Sequence, residues 1–102
     1  MRMSSPTRLI LARHGQAHCN VHGIIGGPRG CTGLTGHGHH QAQQLSERLL
    51  SDHAQTPIDA AYASPLRRAR ETAGIIAEHL DLPITIDHDL REPDYGDADG
   101  KP

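Results

Sequence analysis

The sequence predicts an α/β fold: a three-layer α/β/α sandwich with a mostly parallel sheet, formed only in part by this chain. Three observations carry the prediction. Short apolar runs alternate with amphipathic segments in the order β-α-β-α-β. Helix-length connections between successive strands imply right-handed crossovers and therefore parallel pairing. The chain reaches Gly100-Lys101-Pro102 without a closing element, so three strands and two helices read as half of a larger domain.

Each element has a local cause. Thr7 to Arg13 is a mostly apolar run, expected as a strand buried on both faces. The Gly-rich stretch Gly23 to Gly38 is expected to be irregular. Thr35 is placed to cap a helix with the apolar stripe Ala42, Leu45 and Leu49, and residues 51–57 read as a loop ending in Pro57. Ile58 to Ala63 reads as a second strand. Ser64-Pro65 is a helix start, with Ser as N-cap and Pro at the first helical position. The stripe Leu66, Ala69, Ala73, Ile76, Leu80 continues that helix to about residue 80, and Ile84 to Ile86 reads as a third strand. From Asp87 to Asp99, six acids face one Arg.

Composition narrows the function. The 102 residues carry 10 basic and 12 acidic side chains, a formal charge of −2. That balance, with two Tyr and no Phe or Trp, argues against a nucleic-acid partner, which needs a basic face and stacking aromatics. It also restricts the core to Leu, Ile and Ala. No apolar run has the length of a membrane span, and Met1 to Pro6 lacks a signal-peptide core. Two Cys make no disulfide framework, so reduced thiols and a cytoplasmic setting are expected, with a short Cys19–Cys31 loop as the lesser alternative.

Ligands of α/β proteins sit at the carboxyl ends of parallel strands. Arg13-His14-Gly15 is expected at such an end. There an imidazole can serve as nucleophile with a guanidinium holding an anion beside it, the commoner alternative being a structural His near a strand end. Arg67, Arg68 and Arg70 crowd the first two turns of the second helix, where the macrodipole disfavours each cation by ~0.3–1 kcal/mol. A solvated basic surface accounts for Arg67 and Arg70, while an anion bound at this helix start accounts for at least one of the three.

Arg13-His14-Gly15-Gln16 with Asn20, then Gly33-Leu34-Thr35, Gly38 and Gln41-Ala42, resembles the opening of the histidine phosphatase (phosphoglycerate mutase-like) superfamily. Ser64-Pro65-Leu66-Arg67-Arg68-Ala69 with Thr72-Ala73 is similar to that family's second block, and Leu90-Arg91-Glu92 with Gly96 and Gly100 to its third. The resemblance implies that residues 1–102 are the N-terminal portion of a single domain of that type. By position it makes His14 the phosphorylated nucleophile and Glu92 the general acid. Arg13, Arg68 and Asn20 become the phosphate-binding residues. The substrate implied is a small phosphorylated molecule, and no cofactor is implied. The family carries a second essential His, followed by Gly, far downstream of these blocks, and residues 1–102 do not include it. Cys31 stands where many members have Asp, Asp99 where Glu is common and Ala98 where Trp is common.

The expected activity is phosphomonoester hydrolysis through phospho-His14, needing a C-terminal half. Phosphoglycerate mutase-type phosphotransfer is the alternative within the family; Cys19, where mutases more often carry a bulky aromatic, favours the phosphatase. A truncated module that binds phosphate or a partner without turnover is the non-enzymatic alternative. A metal site is the chemical rival, because His14, His18 and His22 are four apart, with Cys19, Cys31, His37, His39 and His40 nearby. No CxxC or HExxH spacing occurs and residues 14–38 read as loop, so no metal is expected. His53, His79 and His88 read as surface residues. An unfinished sheet is expected to expose an edge and an apolar face.

Overall fold

The computed structural model describes residues 7–91 and 95–102. Its elements are α1 (His18–His22), α2 (Gly36–Gln55), β1 (Ala61–Ala63), α3 (Arg67–Leu80) and β2 (Ile84–Ile86), with 3-10 turns at His88–Leu90 and Gly96–Ala98. β1 and β2 pair in parallel, with Ala61 opposite Ile84 and Ala63 opposite Ile86. The connection between them is α3, as the strand–helix–strand order requires. α3 packs on both strands, and α2 packs on α3. Ser46 is fully buried, its hydroxyl bonded to the Ala42 carbonyl at 2.7 Å. The core is made of small residues with Leu34, Leu49, Leu66 and Leu80 as its larger members.

The helix ends follow from local chemistry. Thr35 caps α2 by accepting the Gly38 N–H at 3.0 Å. α2 continues through residues 51–55, which were expected as loop, because nothing there breaks a helix. It stops at Thr56, whose extended backbone is what a residue before proline prefers. α3 starts two residues later than expected. Ser64 spends its hydroxyl on the Leu66 N–H at 3.2 Å, a local turn, and Leu66 becomes the N-cap. α3 ends at Asp81 in the left-handed conformation, with the Leu82 N–H bonded to the Ala77 carbonyl, and Pro83 prevents continuation.

Two further expectations are corrected. Residues 14–38 are not wholly irregular: α1 forms there, its start fixed by the Asn20 side-chain oxygen accepting the Ala17 N–H at 3.0 Å and its end by Gly23 at φ 65°. The run Thr7 to Arg13 is not a strand. Leu9 is 79 % and Leu11 85 % exposed. A strand is held by ladder bonds to neighbours, and among the described residues only β1 and β2 pair as strands, apart from an isolated bridge between Ala17 and Leu34. The Cα radius of gyration, 15.4 Å, exceeds the roughly 13 Å of a compact chain of this length. The sandwich is therefore partial, as its element count suggested.

Candidate active site

Gly15 is the residue around which the site is built. His14 Nδ1 lies 2.6 Å from the Gly15 carbonyl oxygen. A carbonyl only accepts, so Nδ1 is the donor, and in the neutral ring Nε2 keeps its lone pair. The Gly15 N–H donates to Thr72 Oγ1 at 3.1 Å, and the Thr72 hydroxyl donates to the Arg68 carbonyl at 2.8 Å. An unpaired amide at this depth would cost about 1–3 kcal/mol.

The next residues are clamped to α2. The Gln16 N–H donates to Gln41 Oε1 at 2.8 Å, and its carbonyl accepts the Thr35 N–H at 2.9 Å. The Thr35 hydroxyl donates to Gln16 Oε1 at 2.9 Å, so the residue that caps α2 also holds the His14 loop. An isolated antiparallel bridge joins Ala17 to Leu34, and His18 N–H bonds the Gly33 carbonyl.

These bonds frame an open cleft of about 460 Å³, lined by Arg13, His14, Gly15, Gln16 and Asn20 on one side and by Gln41, Ala42 and Leu45 of α2 on the other. None of the lining residues is a carboxylate, and Arg13 brings a permanent positive charge. Asn20 uses its side-chain oxygen to start α1, which leaves its NH₂ as the donor end of the amide. The cleft therefore offers cationic and neutral donors to an anion, beside an imidazole nitrogen with a free lone pair.

Of the residues singled out in the sequence, Arg13, His14 and Asn20 meet in this cleft. Arg68 does not line it. Arg68 is 5 % exposed, its Nη1 donating to the Gly26 carbonyl and facing Cys19 Sγ at 3.9 Å. Arg67 is turned outward, bound to Glu71 at 2.9 Å, and Glu71 also faces His39 at 3.5 Å. Arg70 is exposed. Glu92 lies outside the described residues. Thr72, Thr35 and Gln41 were missed as site residues. A polar Thr one turn beyond Arg68, within the second motif block, was the available signal for Thr72.

A fourth missed residue is Asp99. Its carboxylate accepts the Arg29 N–H at 2.8 Å and the Gly30 N–H at 2.7 Å, with the Arg29 guanidinium at 3.9 Å. Burial alone would raise its pKa. The backbone N–H groups of Arg29, Gly30 and Gly27 and the Arg29 charge outweigh that and hold the carboxyl below its usual range. Backbone bonds between Ile25 and Gly100–Lys101 complete the tie. The loop so anchored is the one whose Gly26 carbonyl receives Arg68.

Among the described residues no three His, Cys, Asp or Glu side chains converge as metal ligands. α1 includes His18 and His22 but not His14, and the first two stack on each other at 6.3 Å. Cys19 and Cys31 are buried free thiols. Among the described residues no helix is long and apolar enough to cross a membrane.

The sequence pattern of the histidine phosphatase superfamily (branch 1) matches residues 9–102. The chain is 39 % identical over 95 residues to a 2,3-bisphosphoglycerate-dependent phosphoglycerate mutase of Bartonella quintana (strain Toulouse), covering 90 % of this chain and 45 % of that protein. It is 38 % identical over 96 residues to the uncharacterized phosphatase PhoE of Bacillus subtilis (strain 168), covering 94 % and 47 %. The structure superposes on a mycobacterial glucosyl-3-phosphoglycerate phosphatase with a TM-score of 0.71 and 33 % identity, over 85 % of this chain and 39 % of that one. The chain thus spans less than half the length of each of these relatives.

Proposed function

The chain belongs to the histidine phosphatase superfamily, and from that premise we propose that it hydrolyses phosphomonoesters of small molecules through a phosphohistidine on His14. Residues 1–102 are then the N-terminal portion of a single domain whose C-terminal half supplies the second His. The observation that carries the reading is the His14 ring held through Nδ1 by the Gly15 carbonyl, with Nε2 left as the nucleophilic atom.

In this mechanism Nε2 attacks phosphorus in line with the ester oxygen, forming the N–P bond as the P–O bond breaks. Arg13 and Asn20, which line the cleft, bind the phosphoryl oxygens and take up the charge that develops on them; Arg68, bonded to the Gly26 carbonyl outside that lining, joins them on turning away from Gly26. Glu92 gives its proton to the departing alkoxide, then takes one from the water that cleaves the N–P bond and restores His14. The phosphatase PhoE supports hydrolysis, and the mutase relative supports phosphotransfer to a second phosphorylated molecule as the competing outcome.

The test is phosphate labelling of the full chain. Acid-labile phosphate should appear in the wild type and be absent from His14→Ala. Equal labelling of the two would remove His14 as the nucleophile. Release of inorganic phosphate from the labelled protein by water alone identifies a hydrolase; loss of the label only on adding a phosphoglycerate, with the phosphate recovered on that acceptor, identifies a mutase.

A further inference from the structure

We infer that Thr72 is a positioning residue for this reaction, its hydroxyl orienting His14 through Gly15; the inference rests on the reading of His14 as nucleophile. A hydroxyl has one proton, and Thr72 gives it to the Arg68 carbonyl at 2.8 Å. Only a lone pair is then left to face Gly15, so the Gly15 N–H is the donor at 3.1 Å and the direction of both bonds is determined. Thr72 is 4 % exposed, so water does not compete for either bond.

The Gly15 N–H closes the peptide unit that begins at His14. The bond to Thr72 therefore sets the backbone torsion from which the imidazole projects. The same Gly15 offers its carbonyl to His14 Nδ1, so one residue is anchored at its nitrogen and in turn orients the ring with its oxygen. Through its other bond Thr72 ties this unit to the turn of α3 that carries Arg68. One hydroxyl thus couples the placement of the nucleophile to that of the buried guanidinium, across 57 residues of sequence.

Replacement of Thr72 by Val keeps its volume and removes both bonds, and replacement by Ser keeps both. In the full chain, Thr72→Val should speed exchange of the Gly15 amide. It should also shift the ¹⁵N resonances of the His14 ring away from those of the Nδ1–H tautomer. With an aryl phosphate it should lower kcat about 10–100-fold, the scale of a small misplacement of a reacting group, with KM changed less than about threefold. Thr72→Ser should restore all of these. If Thr72→Val does not fold, Thr72→Ala carries the same comparison. Unchanged His14 ¹⁵N resonances without the hydroxyl, or failure of Ser to restore them, would overturn the inference. Full labelling of His14→Ala overturns instead the proposed nucleophile, and the Gly15 exchange measurement, which needs no turnover, keeps the two failures distinct.

Discussion

The carbonyl oxygen of Gly38, in the first turn of α2, occupies the place where a side chain on Gly15 would have to go. The converse holds as well, since a Cβ on Gly38 would collide with the Gln16 carbonyl. Glycine inside a helix costs about 1 kcal/mol relative to alanine, and here that cost permits the backbone of the His14 loop to lie directly on α2. The obstructing atoms are backbone, so they cannot swing aside.

Gly15→Ala and Gly38→Ala should therefore each lower stability by about 1–3 kcal/mol, and Gly15→Ala should also displace His14. Gly74, in α3, has open space at its Cβ position. Gly74→Ala should stabilise the chain by about 0.4–1 kcal/mol. Chemical denaturation of the three variants checks both signs. Equal effects at Gly15 and Gly74 would show that the close contact between loop and helix is not formed.

Asp99 supplies a pH dependence whose sign is determined. Its folded pKa lies below the ordinary value, so its contribution is complete above the unfolded pKa of about 3.9. The contribution is lost as pH falls through the folded value. The stability difference between wild type and Asp99→Asn should be constant above about pH 5 and should shrink below about pH 4. Amide exchange at Arg29 and Gly30, the two backbone donors, reads the same transition locally.

Glu92 is assigned to proton transfer, and its removal should depend on the leaving group. Glu92→Gln should slow hydrolysis of alkyl phosphates by ~10²–10⁴-fold. Phosphorylation by an aryl phosphate, whose leaving group needs little protonation, should suffer less, and phosphohistidine should then accumulate because water activation stays impaired. Equal loss in both steps for both ester classes would take Glu92 out of that role.

Under the proposed mechanism, turnover of the full chain should survive a strong chelator, because Arg13, which lines the cleft, would bring positive charge to the phosphoryl group without a metal ion. Activity lost on chelation and restored by zinc would bring the His- and Cys-rich stretch between His14 and His40 back as a site.

Much of the local architecture was legible in the sequence because its causes lie within one helical turn. The Thr35 cap and the stop of α3 before Pro83 were of this kind; the parallel pairing with Ile84–Ile86 followed instead from the helix-length connection, though only Ala61–Ala63 of the expected strand Ile58 to Ala63 takes part. The errors were local competitions decided by neighbouring groups: Ser64 formed a turn with Leu66 instead of capping the helix, and residues 51–55 extended α2 because no breaker precedes Thr56.

By itself, then, the sequence determined the order of elements from α2 onward, the parallel connection and the membership of its three motif blocks in one family, since spacing and residue type carry all of these. Tertiary structure alone decided three other things. It left Leu9 and Leu11 exposed, because an apolar run becomes a strand only where another strand offers its ladder. It turned Arg68 inward to Gly26 and Arg67 outward to Glu71, a difference of one helical position that no propensity expresses. It also joined Gly15 to Thr72 and Gly30 to Asp99, residues 57 and 69 apart. Such bonds form when packing has already brought two buried polar groups together, where each must find a partner or bear the cost of having none.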